Sequence, residues 1–235
     1  MTRRVPLVFL FDVDNTLLDN DAVEREYREH LVREAGSEAA ERHWAIFEDL
    51  RRELGYADYL GALQRYRHDN LHDPRLLCVA AFLLDYPFAS RLYPGAIEVL
   101  ARYGGFGTSV ILSDGDVVFQ PRKIDRSGLR RAVDGRVLVY IHKEQELADV
   151  EGFYPADRYV LIDDKLRILA AVKQVWGARV TTVFVRQGHY AHDPAILAEY
   201  PAADVAIDAI GDLLNLDPHA LLEAGTAGSA IGRTP

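Results

Sequence analysis

The stretch "FLFDVDNTLLDNDA" (9–22) closes an apolar run with Asp12, one residue, Asp14, one residue, and Thr16. The run itself, "VPLVFLF" (5–11), is β-branched and aromatic with no helical period, which predicts a buried strand. A buried strand does not end in closely spaced negative charge without a compensating partner. The identity of that partner, whether solvent, a lysine or a metal, organises the reading of the remaining chain.

Beyond this strand the pattern changes. From Asp21 to about Tyr86 the chain reads as helical almost throughout. "DAVEREYREHLVREAG" places Val23, Tyr27, Leu31 and Val32 on one face, with Gly36 as a stop. "SEAAERHWAIFEDLRREL" opens with Ser37 and puts Trp44, Phe47 and Leu50 on one stripe. "YADYLGALQRYRHD" and "PRLLCVAAFLLDY" follow, with Pro74 in a first helical turn. From Pro94 onward, strands alternate with helices. The predicted strands are 108–113, 136–142, 158–163, 179–185 and 204–208. "DVVFQPRKIDRSG" reads as mostly helix despite Pro121, and "KEQELADV" as helix. Such alternation predicts an α/β fold, a Rossmann-like parallel sheet with helices on both faces. The helical block at 19–88 is too long for a simple crossover and is expected to be an inserted cap. The core is then expected at 1–18 and 89–216, and the small, polar segment 217–235 as a flexible tail.

The chain has 235 residues, enough for one large domain or a domain with an inserted subdomain. Its 27 Lys and Arg against 36 Asp and Glu give a formal charge of −9. That balance argues against nucleic acid or an anionic membrane as partner, but leaves a small phosphate ester open, since a local cation overrides a distant net charge. The lone cysteine, Cys78, excludes an intrachain disulfide; within "LLCVAAFLL" it reads as a small buried hydrophobe. Neither the N-terminal apolar run nor "LLCVAAFLL" is long enough to span a membrane or serve as a signal peptide, so a soluble, cytoplasmic protein is expected, as monomer or homodimer.

Ligands of open parallel sheets bind at the carboxyl ends of the strands. There the sequence places Asp12-Val13-Asp14-Asn15-Thr16, Ser113-Asp114-Gly115-Asp116, His142-Lys143 and Asp163-Asp164-Lys165. Mg2+ takes oxygen ligands, one or two of them carboxylates, alongside phosphate oxygens and water. Asp12 and Asp164 can supply those carboxylates. An aspartate can attack phosphorus, and a second one two residues away can deliver a proton to the leaving oxygen. Lys143 and the Ser113 hydroxyl can hold a phosphoryl group, with turn N–H groups near Val13, Asp14 and Asp114 completing a cradle. Each residue also has a plainer reading. Asp12, Asp14 and the Asp163-Asp164 pair could cap helices, Ser113 could close a turn, and Lys143 could lie on the surface. Asp114 and Asp116 read as caps of the following helix, and Lys165 as solvated. "HYAHD" (189–193) follows a strand and could reach the site, but reads as an ordinary loop. Arg122, Lys123, Arg126, Arg130 and Arg131 read as a solvated or charge-paired face. The aromatics Trp44, Phe47, Tyr56 and Tyr59 read as mostly core, with some lining the cap–core cleft.

"DVDNT", the strand ending in Ser113, Lys143 after a third strand, and "LIDD" occur in that order. Together they resemble the haloacid dehalogenase (HAD) superfamily, in its phosphatase branch with a helical C1-type cap. The resemblance spans about residues 5 to 216 and extends to "YPGAIEVLARY", "KIDRSGL" and "DVAIDAIGDLL". It implies Asp12 as nucleophile and Mg2+ ligand, and Asp14 as general acid/base with its backbone carbonyl on the metal. It further implies Thr16 as support of the turn, Ser113 and Lys143 as phosphate ligands, Asp164 on the metal, and Asp163 behind it or on a metal-bound water. Two departures stand out. Asn15 occupies a place where many relatives have Gly, and Lys143 is followed by Glu144 where relatives often have Pro, which makes Lys123 a rival for the phosphate lysine. The implied activity is Mg2+-dependent hydrolysis of a small phosphomonoester. A 2-haloacid dehalogenase would also use Asp12, but such relatives lack the second aspartate and need no metal. A phosphomutase would use the same residues, and a non-catalytic binding protein could keep the fold.

Overall fold

The computed structural model describes residues 5–227. Six strands form one fully parallel sheet: β1 (Val5–Phe11), β2 (Thr108–Asp114), β3 (Val137–Tyr140), β4 (Ala156–Asp163), β5 (Val180–Val185) and β6 (Val205–Ile207). Their order across the sheet is β3-β2-β1-β4-β5-β6. The Rossmann-like α/β fold expected from the alternation is therefore the fold observed. Apolar residues on alternate sides of β1 explain its central place. Leu7, Phe9 and Phe11 enter one buried cluster, Val8 and Leu10 the other. β4 repeats the split, with Val160 and Ile162 on one side and Tyr159 and Leu161 on the other. Strands covered on both faces read as continuous apolar runs, as these do.

The register brings the strand ends level. Phe11 pairs with Ile111 on one side and with Ile162 on the other. The backbone N–H of Asp12 donates to Ile162 O at 3.0 Å, so the first acidic turn leaves the sheet beside Asp163. The strand order reverses between β1 and β4, which is where open α/β sheets form their ligand crevice.

Four helices separate β1 from the return to the sheet: α1 (Asn20–Ala35), α2 (Ser37–Leu54), α3 (Tyr59–Asp69) and α4 (Arg75–Asp85). Asp19 caps α1 by accepting from Ala22 N at 2.9 Å, and Gly36, at φ +82°, ends it as expected. Aromatic contacts knit the block: Phe47 stacks on Tyr59 at 4.7 Å, and Tyr59 lies 5.3 Å from Phe119 of the sheet-bearing part. α5 (Ala96–Gly104), α6 (Phe119–Arg126), α7 (Leu129–Ala132), α8 (Leu147–Phe153), α9 (Leu166–Trp176) and α10 (Pro194–Glu199) flank the sheet. Pro121 is accommodated because it lies in the first turn of α6, where its missing N–H has no helical partner to lose.

Several expectations are corrected. Cys78 is exposed, because α4 buries only Val79 and Leu83 of its apolar run. Val32 is exposed too; α1 turns Ala22, Val23, Tyr27 and Leu31 inward. The expected tail contains a helix, α11 (Pro218–Ala227). Leu221 is buried in the main core, and the backbone carbonyl of Leu222 accepts from Arg158. Small residues suit this helix because Gly225 lies against Thr181 of β5, where a Cβ would come within 2.1 Å of the hydroxyl. The remainder of the expected tail, 228–235, lies outside the described residues. Among the described residues, no helix is long and apolar enough to cross a membrane.

Candidate active site

The turn after β1 is closed by its own backbone. Leu17 N and Leu18 N both donate to Val13 O at 2.9 Å, and Asn15 N donates to Leu18 O at 2.7 Å. Asn15 sits at φ +60°, a left-handed conformation that asparagine tolerates. Its amide gives the residue a second task. Oδ1 accepts from Asn20 N and Asp21 N, and Nδ2 donates to Asp21 Oδ1 at 2.9 Å, tying the turn to the start of α1. Gly188, at φ +71°, packs on Asn15 so closely that a Cβ there would fall 2.4 Å from its side chain. Thr16 donates its N–H to Val13 O at 3.3 Å, while its hydroxyl is buried with no hydrogen-bond partner.

Three aspartates converge beneath this turn. Asp12, Asp163 and Asp164 are all buried, and each offers a carboxylate oxygen within 4.8 Å of the others. Lys143 stands among them, its Nζ 2.5 Å from Asp12 Oδ1 and 2.7 Å from Asp163 Oδ2. Lys143 is therefore not a surface lysine. Burial alone would depress its ammonium, but Asp12, Asp163 and Asp114 hold it well above the usual lysine range. One lysine does not satisfy the cluster. Asp12 Oδ2 and both oxygens of Asp164 are buried with no hydrogen-bond donor. Burial pushes the Asp163 carboxyl up to about 6, and burial likewise raises Asp164. Buried carboxylates normally have partners, and the unpaired oxygens of Asp12 and Asp164 are the donor set that a hard divalent cation requires. The residues fit such an ion.

A second pair lies beside the first. Lys123 Nζ, also buried, donates to Asp14 at 2.7 and 2.9 Å and to Asn20 Oδ1 at 2.9 Å. The two lysines thus divide the aspartates, Lys143 taking Asp12 and Lys123 taking Asp14. The carboxylate of Asp14 is not in the three-acid cluster. Lys123 leaves the basic face expected for it; Arg122 and Arg126 stay outside and hold the last turn of α4 through Asp85. Gln120, one turn before Lys123 on the same face of α6, donates to Ser113 Oγ at 2.9 Å and reaches Asp14 Oδ2 at 3.4 Å. It was not singled out in the sequence, where only its i, i+3 spacing from Lys123 marks it.

Asp116 caps α6 by accepting from Phe119 N at 2.7 Å. Asp114 does not cap. Its carboxylate accepts from Lys143 N at 2.7 Å and so holds the lysine-bearing turn against the end of β2. Asp163 Oδ1 accepts from Lys165 N at 2.8 Å. Lys165, read as solvated, is instead half-buried against the acid cluster, where Asp164 and Asp12 outweigh burial and raise its ammonium. The "HYAHD" loop does reach this region: His189 donates its N–H to Asp21 Oδ2 at 2.8 Å, and Tyr190 lines the adjoining cavity. That cavity, about 100 Å³, is enclosed by Asp14, Gln120, Lys123 and Lys165 below, and by Arg51, Tyr56 and Tyr59 from the helical block above.

An acid-lined crevice at the switch point of a parallel Rossmann-like sheet, beneath inserted helices, has the features of a catalytic site. The haloacid dehalogenase-like hydrolase family model matches residues 7–154, and the chain belongs to that family. A haloacid dehalogenase-like hydrolase from Burkholderia xenovorans is 62% identical, over 90% of this chain and 98% of its own, with a TM-score of 0.87. At 16% identity, a HAD hydrolase of Bacillus subtilis solved with bound magnesium shares the fold over 91% of this chain and 98% of its own, with a TM-score of 0.59. The L-2-haloacid dehalogenase of Xanthobacter autotrophicus, 20% identical, does so over 90% and 98%, with a TM-score of 0.57. No curated protein matches the chain.

Proposed function

We propose that this hydrolase is an Mg2+-dependent phosphatase acting on a small phosphomonoester, with residues 19–88 as its cap. The observation that carries the reading is the buried trio Asp12, Asp163 and Asp164 with its unpartnered oxygens. A dehalogenase needs one nucleophilic carboxylate. Two further buried acids beside it, with both oxygens of Asp164 lacking a hydrogen-bond donor, are more than that reaction uses. Asp14 adds to the case, because a second acid next to the nucleophile is what a phosphate ester's leaving oxygen requires.

Asp12, Asp163 and Asp164, with the backbone carbonyl of Asp14, would hold Mg2+. When bound, the ion neutralises the cluster and the phosphoryl oxygens, so that carboxylate and phosphate can approach one another. Asp12 attacks phosphorus, and the P–O bond to the leaving group breaks as the Asp12–phosphorus bond forms. Asp14, on the cavity wall, protonates the leaving oxygen and then takes a proton from the water that hydrolyses the aspartyl-phosphate. Lys123 and Asn20 fix where Asp14 stands. Lys143 holds Asp12 in place through its ion pair. Ser113, engaged by Gln120, and the N–H groups around Asp114 would receive phosphate oxygens. The helical block keeps bulk water from the ester during transfer. A phosphate-release assay on small esters tests this reading: turnover is expected with Mg2+ and is lost in EDTA. Chloride release from 2-chloropropionate at full rate in EDTA would replace it with dehalogenation.

A further inference from the structure

Most basic side chains that line the cavity are already engaged. Lys123 is bound to Asp14, Arg167 to Glu144 at 2.5 Å, and His189 to Asp21 at 2.7 Å. Two are not. Lys165 has no ion pair within 4.0 Å among the described residues, and the only acid at that limit from Arg51 is Glu48 of its own helix, at 4.0 Å. These two come from opposite walls, Arg51 from α2 and Lys165 from the end of β4. Both lie near one ring: the Arg51 guanidinium carbon is 5.7 Å, and the Lys165 ammonium 5.4 Å, from the centroid of Tyr190. Glu24 also lines the cavity, 3.9 Å from Arg28; burial pushes its carboxyl up against the pull of Arg51 and Arg28.

We infer that Arg51 and Lys165, bracketing Tyr190, form a subsite for a carboxylate on the substrate, so that the ester hydrolysed is a small phosphorylated acid. This rests on the phosphatase reading for the other end of the molecule. Arginine is suited to the role because its planar fork meets a carboxylate with two parallel hydrogen bonds. Lys165 links the two ends, since it follows Asp164 in sequence and lines the cavity. Size favours the same reading, since a cavity of about 100 Å³ is small beside the ~300–1,000 Å³ of pockets that enclose drug-sized ligands. Because Arg51 is carried by the helical block, a substrate carboxylate would also draw that block onto the sheet edge.

The test separates binding from turnover. Calorimetry on Asp12→Asn protein with Mg2+ compares 2-phosphoglycolate with 2-hydroxyethyl phosphate, which are nearly isosteric and differ in the carboxylate. Phosphoglycolate is expected to bind at least tenfold more tightly. Arg51→Gln and Lys165→Gln, each added to that background, bring the ratio toward one, and Arg51→Lys keeps part of it. Because the readout is a ratio within each variant, a general loss of folding or metal binding does not imitate the result. Equal affinities in the starting protein, or a ratio that neither substitution moves, overturns the subsite. Phosphate release from both esters by the unsubstituted protein tests the phosphatase reading separately, and the binding ratio stands or falls without it.

Discussion

The sheet edge and the helical block each bury polar groups, but in opposite ways. In the block, His43 is buried with its Nε2 2.8 Å from the Tyr27 hydroxyl. Burial alone pulls its imidazole down to about 4, so the ring stays neutral and the pair behaves as core. At the sheet edge, Asp12, Asp163 and Asp164 meet two lysines, and three carboxylate oxygens still have no donor. Neutralising a buried group is the ordinary outcome; keeping several charged groups together is not. The contrast separates packing from chemistry without reference to relatives. In the proposed reading the block packs and covers, while the edge holds an ion and a reacting phosphate.

The comparison breaks most easily at Asp12. Asp12→Asn is expected to lower kcat by at least about 10⁴-fold, about 5.4 kcal/mol in barrier, while circular dichroism shows an intact fold. Retained turnover would remove Asp12 as nucleophile. Asp14→Asn is expected to slow turnover by about 10²–10⁴, and quenched-flow detection of phosphoenzyme shows whether leaving-group departure or water attack suffers more. Lys143→Met leaves the acid cluster without its buried cation and should cost about 3–5 kcal/mol in urea unfolding, part of which added Mg2+ restores. An unchanged midpoint would mean that the lysine does not offset those carboxylates.

The smallest effect lies in the helical block. His43 has a folded pKa below its unfolded value of 6.5. Its contribution to stability is therefore complete above pH 6.5. It is lost as pH falls toward 4, because the unfolded chain takes a proton that the fold refuses. The shift corresponds to roughly 3 kcal/mol, and His43→Gln should flatten that part of the stability–pH curve while leaving the rest of the acid transition in place. A curve that His43→Gln does not alter would show that the imidazole is protonated in the fold.

Much of this was legible in the sequence. The apolar runs and their alternation with helices carry the sheet, and acids at three strand ends with a lysine at a fourth carry the crevice. What could not be read were contacts set by distant packing. Lys123 lies in a basic run whose other members face solvent or pair with Asp85, and only the burial of one face of α6 turns it toward Asp14. Gln120 follows for the same reason. Lys165 looked solvated because adjacent acids suggest an exposed turn, yet both acids are buried and draw it inward. Cys78 and Val32 looked buried because apolar neighbours in sequence were taken for neighbours in space; α4 and α1 each bury only one stripe. The "HYAHD" loop could be read as able to reach the site, but Arg51 carried no local mark, since it nears Tyr190 only when α2 is laid over the loop after β5.

The central claim is that the unpaired acids at the end of β1 and β4 exist to hold a divalent cation for phosphoryl transfer. The most direct measurement is phosphate release from 2-phosphoglycolate and 2-hydroxyethyl phosphate by the metal-stripped protein, titrated with Mg2+. Turnover absent in EDTA and restored saturably by Mg2+, and lost in Asp12→Asn at every concentration, is the predicted result. Full turnover in EDTA, or Mg2+-independent chloride release from 2-chloropropionate in its place, would contradict it.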